Sequence, residues 1–242
     1  NIDYNSLQQK INNIEPKLEM KEQVDFAVAF STGTEKVNGS TGVTMNFKHA
    51  LSQIRIEARN SNPIMKVEVA GVRITSVQGK GSFTYPTSPT VAGTGDEQLL
   101  KGVWQNEETK ASYMVGGEKK SGDYIKTLTT DNEDTPAYTN LMVWKDGAGG
   151  TEVDGGFMLL PQSLTKWKPN GSTDDKNTRI SILCRIYQNT TGNADSPTWK
   201  QIFPGEDSQF GFTSVGIEGD WAPGKKSREE YTMLSKYRIK EL

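Results

Sequence analysis

Residues 47–59 read FKHALSQIRIEAR, and this stretch decides the fold class. In its second half Ile54, Ile56 and Ala58 alternate with polar or charged residues, which is the period of a β-strand with one buried face. The alternation predicts an all-β protein in which this strand faces a hydrophobic core.

The residues just before this strand alternate on the opposite parity. Val43, Met45 and Phe47 occupy odd positions, so a straight strand would turn half of the apolar side chains into solvent. We therefore expect a β-bulge between His49 and Gln53. The next apolar run, residues 65–74, breaks its phase at Gly71 in the same way, and the polar turn at 60–63 predicts that the two strands form a long twisted hairpin.

The clearest strand pattern lies at residues 179–186, where Ile180, Ile182, Cys184 and Ile186 share one face. We expect this strand at the centre of a sheet with its even face in the core. Cys184 is the only cysteine, so it makes no internal disulfide, and its place on this face indicates a small buried hydrophobe. Residues 156–162 form an apolar run that predicts a strand covered on both faces and ended by Pro161.

The N-terminal segment has a different pattern of apolar residues. Leu7, Ile11, Ile14 and Leu18 recur at spacings of three or four, which favours a short helix that Pro16 interrupts. Residues 79–139 are polar and rich in glycine, and they predict loops with short edge strands.

Composition limits the function classes. The 242 residues carry 28 Lys and Arg against 30 Asp and Glu, a net charge of -2 that gives no general attraction to nucleic acid or acidic membranes. No apolar run reaches the length of a membrane span, so any attachment to an outer membrane would need a leader that precedes Asn1.

The sequence offers little chemistry. His49 is the only histidine, so catalytic sites that need two are excluded, and we interpret it as a hydrogen-bonded strand residue rather than a general base. No phosphate-binding loop or zinc pattern is present. The acidic segment at 131–134 could supply oxygen ligands but lacks the spacing of a calcium loop. We expect no cofactor, no metal and no enzyme activity.

Tryptophan side chains suggest two alternatives. Aromatic faces stack on sugar rings, so the tryptophans are candidate glycan-facing residues. The alternative is that they pack at the ends of a β-sandwich, and we favour it because large aromatic side chains usually contribute through the surface area that they bury. The candidates are Trp104, Trp144, Trp167 and Trp199.

Residues 43–56 resemble the F-x-H-A-L strand of the fimbrillin-like proteins, which are subunits of type V pili. Four further motifs occur in the order that they have in that family: VDFA at 24–27, before this strand, and then the hairpin at 72–83, LLPQ at 159–162 and DWAPGK at 220–225. The resemblance implies two transthyretin-like antiparallel β-sandwich domains of Greek-key type, export to the cell surface through a signal with a lipobox cysteine, and assembly into a fimbrium by strand exchange between subunits.

The chain departs from this family in two places. The stretch before the histidine strand is too short for a complete N-terminal domain, so we expect a reduced or truncated companion at 1–42 and the main sandwich at 43–242. After the PGK turn, residues 227–230 stand before the tyrosine-rich closing strand. Two segments are candidate donors in assembly, residues 24–30 near the start and the closing strand at the end, and we favour the closing strand. Its apolar residues are Tyr231, Met233, Tyr237 and Ile239.

The sequence therefore predicts a non-enzymatic surface protein whose partners are other pilus subunits, with host or microbial glycans or proteins as adhesion targets. Two rivals stay open. One is a monomeric glycan-binding surface lipoprotein, and the other is a glycosidase built on a β-sandwich, which would need two facing carboxyl groups.

Overall fold

The computed structural model describes residues 3–6, 9–87, 102–116, 125–128, 137–145, 150–169, 177–193, 195–205 and 209–233. Within these ranges the chain forms a 3-10 helix at Met20–Glu22, a one-turn α-helix at Glu35–Asn38 and twenty strands. The strands are β1 Asp3–Asn5, β2 Lys10–Ile14, β3 Ala27–Val28, β4 Lys48–His49, β5 Ser52–Asn60, β6 Met65–Gln78, β7 Gly81–Thr84, β8 Val103–Asn106, β9 Lys110–Gly116, β10 Lys126–Leu128, β11 Thr139–Asn140, β12 Val143–Lys145, β13 Glu152–Asp154, β14 Phe157–Leu159, β15 Gln162–Leu164, β16 Arg179–Asn189, β17 Trp199–Phe203, β18 Gly211–Gly216, β19 Gly219–Trp221 and β20 Lys226–Met233. Neither helix has the length or hydropathy of a membrane-spanning segment.

Two sheets face each other across the main hydrophobic core, so the all-β antiparallel sandwich is confirmed. The larger sheet has the order β10-β6-β16-β17, with β9 also on β6 and β18 also on β16. The smaller sheet is centred on β5, which pairs with β11 and β14 along one side and with β20 along the other. Both central strands of the larger sheet and the central strand of the smaller sheet send their apolar side chains into one buried cluster.

The predicted central strand is confirmed. Ile180, Ile182, Cys184 and Ile186 of β16 are buried in the main core. The predicted phase break in β6 is also present, because the register with β16 skips one residue between Val69 and Gly71. The bulge lets apolar residues of both parities on β6 reach the same core.

The predicted bulge between His49 and Gln53 is wrong. Residues 48–49 form β4, which pairs with β3, whereas β5 begins at Ser52 in a different sheet. The phase changes because the chain passes from one sheet to another, and the two residues between them, Ala50 and Leu51, are buried in a second hydrophobic cluster. Val43, Met45 and Phe47 lie outside any strand and are exposed.

The predicted hairpin between β5 and β6 is also wrong, because these strands lie in the two facing sheets rather than side by side. The turn that joins them is an arch held by Asn60, whose Nδ2 donates to the carbonyl oxygens of Met65 (2.8 Å) and Leu128 (3.3 Å). A buried amide that satisfies main-chain acceptors on both sides stabilises this crossing.

The N-terminal segment forms strands where the sequence pattern favoured a helix. β2 pairs with β1 and β7, and a register shift lies between Ile11 and Ile14. Asn13 has φ 56°, so the bulged backbone turns both isoleucines toward the cluster around Phe83. The three-residue spacing of Ile11 and Ile14 in the sequence therefore results from a bulge in β2 and not from a helical turn. The strands of residues 3–14 share their sheet with β7 and β8, and the domain boundary at residue 42 stays a prediction.

Candidate functional site

The smaller sheet ends in a parallel edge strand. β20 pairs with β5 over eight residues, from Lys226 opposite Gln53 to Met233 opposite Asn60. It is the one parallel strand pairing among the described residues, apart from two isolated bridges. Parallel ladders are slightly weaker per residue than antiparallel ones, so β20 is attached by the less stable kind of pairing.

Ion pairs fasten β20 to the outer side of β5. The Glu57 side chain is only 4% exposed and lies between two guanidinium groups, with Arg55 Nε and Arg228 Nε each 3.0 Å from its carboxylate oxygens. Arg228 also contacts Glu230 at 3.2 Å, and Arg55 contacts Asp154 at 3.1 Å. Since Glu57 is buried, its charge needs these partners.

The core-facing side of β20 is polar at its beginning. By register, Ser227 and Glu229 stand beside Ile54 and Ile56, whose side chains are fully buried. Burial raises the pKa of the Glu229 carboxyl above its usual value, and a hydrogen bond from Trp221 opposes this shift. An inward-pointing charge on an edge strand is unfavourable for core packing and is one of the ways in which proteins protect sheet edges from aggregation.

The candidate donor residues fall partly on this strand. Tyr231 stands opposite Ala58, and Met233 packs against the main core. Tyr237 and Ile239 lie outside the described residues. The segment 227–230, which the sequence set apart from the closing strand, belongs to β20 itself, because its alternation continues the parity of Tyr231 and Met233.

The four candidate tryptophans are not brought together. Trp104 packs on the second cluster, where its Nε1 donates to the carbonyl oxygen of Ala50 at 2.9 Å, and Trp144 packs on the main core. Trp167 and Trp199 each lie beneath a cation, from Arg179 and Lys66 respectively. Trp104 and Trp144 thus pack on hydrophobic clusters, and a glycan-facing role for the four tryptophans stays a prediction.

Several sequence motifs meet at the second hydrophobic cluster, which contains Phe26, Ala50 and Leu51. His49 Nδ1 hydrogen-bonds to Asp25 Oδ2, and the amide of Ala50 donates to the carbonyl oxygen of Phe26 at 2.7 Å. The amide of Gly224 donates to the carbonyl oxygen of Leu51 at 2.9 Å. The motifs around residues 25, 49 and 224 are therefore parts of one structural junction, and His49 has the hydrogen-bonded strand position that the sequence predicted.

Chemistry-bearing side chains are sparse in the described ranges. They contain no group of three or more His, Cys, Asp or Glu side chains placed to hold a metal, and the segment 131–134 lies outside them. A shallow polar cavity of about 450 Å³ lies on the β1-β2-β7-β8 sheet, where Lys10 Nζ donates to Gln105 Oε1 at 2.8 Å. It contains none of the candidate donor residues or candidate tryptophans. Burial raises the pKa of the Cys184 thiol to about 12, which makes it a poor nucleophile.

Sequence reasoning missed the attachment of β20. Nothing in the local pattern pairs Glu57 with Arg228, since they are distant in the chain. The sequence signal for β20 is the alternation at positions 227, 229, 231 and 233. It is hard to recognise because the first two of these residues are polar.

Comparison with known proteins gives one family match. A family model described as fimbrillin-like matches residues 2–227. No curated protein matches the chain. A fimbrial protein from Bacteroides vulgatus, known from a crystal structure, is similar at 17% identity and a TM-score of 0.48. The match covers 93% of this chain but 64% of that one, so the chain spans less than two thirds of the solved protein.

Proposed function

The chain belongs to the fimbrillin-like family, and on that premise we propose that it is a subunit of a cell-surface fimbria that assembles by exchange of β-strands between copies. In this proposal the C-terminal segment that begins with β20 leaves its own sheet. It then pairs with β5 of a neighbouring copy.

The parallel attachment of β20 to β5 is the observation that supports this proposal. A strand that lies at an edge, pairs in the weaker orientation and turns Glu229 toward the core is easier to detach than a central strand. Its departure would leave the amides and carbonyls of β5 unpaired beside Ile54 and Ile56, which is an acceptor for another extended segment.

A strand from a second copy fits such an acceptor through its period of two. Apolar residues at 231, 233, 237 and 239 share one parity, so an extended segment would direct all four toward the core. Because the donor and the acceptor are different surfaces of the same chain, each copy can donate to one neighbour and accept from another, and repeated addition of this kind builds a fibre.

The remaining features belong to the same proposal. They are the transthyretin-like Greek-key arrangement, export through a lipidated leader, attachment to the outer membrane, and adhesion to glycans or proteins through exposed loops. They follow from the family resemblance alone.

A pair of matched variants tests the donor role. Ile239→Asp places a carboxylate on the apolar parity of the proposed donor, whereas Leu234→Asp makes the same chemical change on the opposite parity. We expect Ile239→Asp to abolish polymers seen by electron microscopy and Leu234→Asp to preserve them, because only the first buries a charge in the acceptor.

Equal assembly by both variants would contradict the donor role. The rival function, a monomeric glycan-binding lipoprotein, predicts no polymer from the unchanged chain and saturable binding of a neutral polysaccharide by the monomer. Tryptophan fluorescence during titration would detect that binding.

A further inference from the structure

The larger sheet has a charge opposite in sign to that of the whole chain. Its six strands contain seven Lys and Arg residues and one acidic residue, Glu68, which gives +6. The whole chain has a net charge of -2. The nearly neutral net charge of the chain is therefore the sum of a positively charged sheet and a negatively charged rest of the chain.

Four of these cations lie on the outer face of the sheet, and each lies over an aromatic ring. Arg73 lies 4.4 Å from the ring centroid of Phe212, and Arg179 lies 5.3 Å from that of Trp167. The other two contacts are of the same kind: Arg185 lies 4.6 Å from Phe210, and Lys66 lies 4.4 Å from Tyr187. Contact with a ring holds a cation flat against the sheet and reduces the side-chain entropy that binding would otherwise remove.

The cations form a row along the two central strands. Arg179 and Arg185 are on β16, and the register places Arg73 beside Ser181 and Lys66 beside Tyr187. Eight residue steps separate the two ends, which is roughly 27 Å at 3.4 Å per residue. A row of this length matches a linear polymer with repeated charges better than a single small anion.

The fold does not fully neutralise this row. Glu68 accepts from Arg185 at 2.6 Å and lies 3.1 Å from Lys66. Arg73 forms no ion pair with any carboxylate of the described residues. The Arg73 guanidinium is therefore the group of the row to which an external carboxylate can bind.

We propose that the outer face of the larger sheet, defined by Lys66, Arg73, Arg179 and Arg185, binds a linear acidic polysaccharide through its carboxylate groups. Guanidinium groups match carboxylates in planar geometry. This site does not use β20 and is independent of strand exchange.

Other polymers fit the face less well. Nucleic acid bases need open ring faces on which to stack, whereas cations already cover the rings of Phe212, Trp167, Phe210 and Tyr187. An acidic peptide that adds as a strand needs a free sheet edge, and β6 and β16 are both paired on two sides.

The test uses polygalacturonate as the probe, with neutral dextran of similar length, oligo-dT and polyglutamate as comparison polymers. We expect the full chain to bind polygalacturonate and not dextran, with affinity that falls as salt rises. Arg73→Gln should weaken binding about fivefold, the contribution of one basic residue near an anionic surface, and Arg73→Gln/Arg179→Gln should weaken it further. Arg73→Lys, which keeps the charge but loses the planar guanidinium, should weaken binding less than Arg73→Gln does.

Lys80→Gln is the matched control. Lys80 directly precedes β7 of the β1-β2-β7-β8 sheet and contacts Glu15 at 3.7 Å and Glu107 at 3.4 Å, so its loss should leave binding unchanged. Thermal unfolding of each variant shows that the fold is intact. Equal weakening by Lys80→Gln, equal binding of dextran, absence of binding, or tighter binding of oligo-dT or polyglutamate would each overturn the proposal. Unchanged binding by Ile239→Asp would show that the site is separate from assembly.

Discussion

Arg228 on the edge strand lies 3.0 Å from Glu57 on the central strand of the smaller sheet, measured from Nε to Oε2. The Glu57 side chain is almost fully buried, and Arg228 and Arg55 hold it from two sides. This pair links the strand proposed to be exchanged to the strand proposed to accept it.

Removal of this link should loosen β20. Arg228→Gln leaves the buried Glu57 carboxylate with Arg55 as its partner, and we expect a loss of about 1–2 kcal/mol in the free energy of unfolding, measured by urea denaturation. Glu230→Gln breaks only the exposed contact with Arg228, so it should change the stability by less than about 0.5 kcal/mol. Equal effects of the two variants would show that burial of Glu57 does not matter.

Glu229 should make stability depend on pH. Because burial raises the folded-state pKa of this carboxyl, its contribution is most favourable below the unfolded pKa and is lost as pH rises through the folded pKa. Glu229→Gln keeps an acceptor for Trp221 and removes the charge. We expect the variant to be more stable than the unchanged chain at pH 7 and the difference to shrink toward pH 4, as measured by thermal unfolding. A difference that does not vary with pH would contradict the assignment.

Gly224 should resist substitution for two separable reasons. It has φ +69°, and an added Cβ would lie 3.1 Å from the carbonyl oxygen of His49. Gly192 has φ +67° with open space around it, so Gly192→Ala measures the backbone strain alone, about 1 kcal/mol. Gly224→Ala should cost more than this in chemical denaturation. A smaller cost at 224 than at 192 would show that the junction with His49 is not tightly packed.

Cys184 should be protected from alkylation in the folded chain. The thiol is buried, and its pKa of about 12 leaves almost no thiolate at pH 8. We expect iodoacetamide to react only as fast as the chain unfolds, with the rate followed by mass spectrometry at increasing urea. Rapid modification in native buffer would show that β16 opens locally.

Local alternation predicted the centre of the fold correctly. The pattern in β16 and the bulge in β6 were readable because side-chain parity in a strand reports which face is buried. The same parity rule failed at residues 47–54, because a change of sheet and a bulge both shift the phase by one residue. It also failed at Ile11 and Ile14, where a bulged strand reproduces the three-residue spacing of a helix.

Long-range relationships could not be predicted in this way. The separation of β5 and β6 into facing sheets depends on which strands fill their edges, and the partners β14, β16 and β20 come from distant parts of the chain. The contact between Glu57 and Arg228 and the cationic row have the same origin, since pairing between strands creates both. The motif at residues 220–225, in contrast, could be recognised in the sequence by its resemblance to the family. The hydrogen bond from Gly224 to Leu51 shows what the motif does in the structure.

A reversible disulfide lock across β5 and β20 tests strand exchange most directly. Arg59 and Thr232 are register partners in the ladder between β5 and β20, and Arg59→Cys/Thr232→Cys would join the two strands covalently without involving the buried Cys184. Oxidised and reduced samples of this one variant are matched, and light scattering with electron microscopy follows their assembly. Exchange of β20 predicts that the oxidised chain stays monomeric and that reduction restores polymers. Equal assembly of the oxidised and reduced samples would contradict strand exchange by β20.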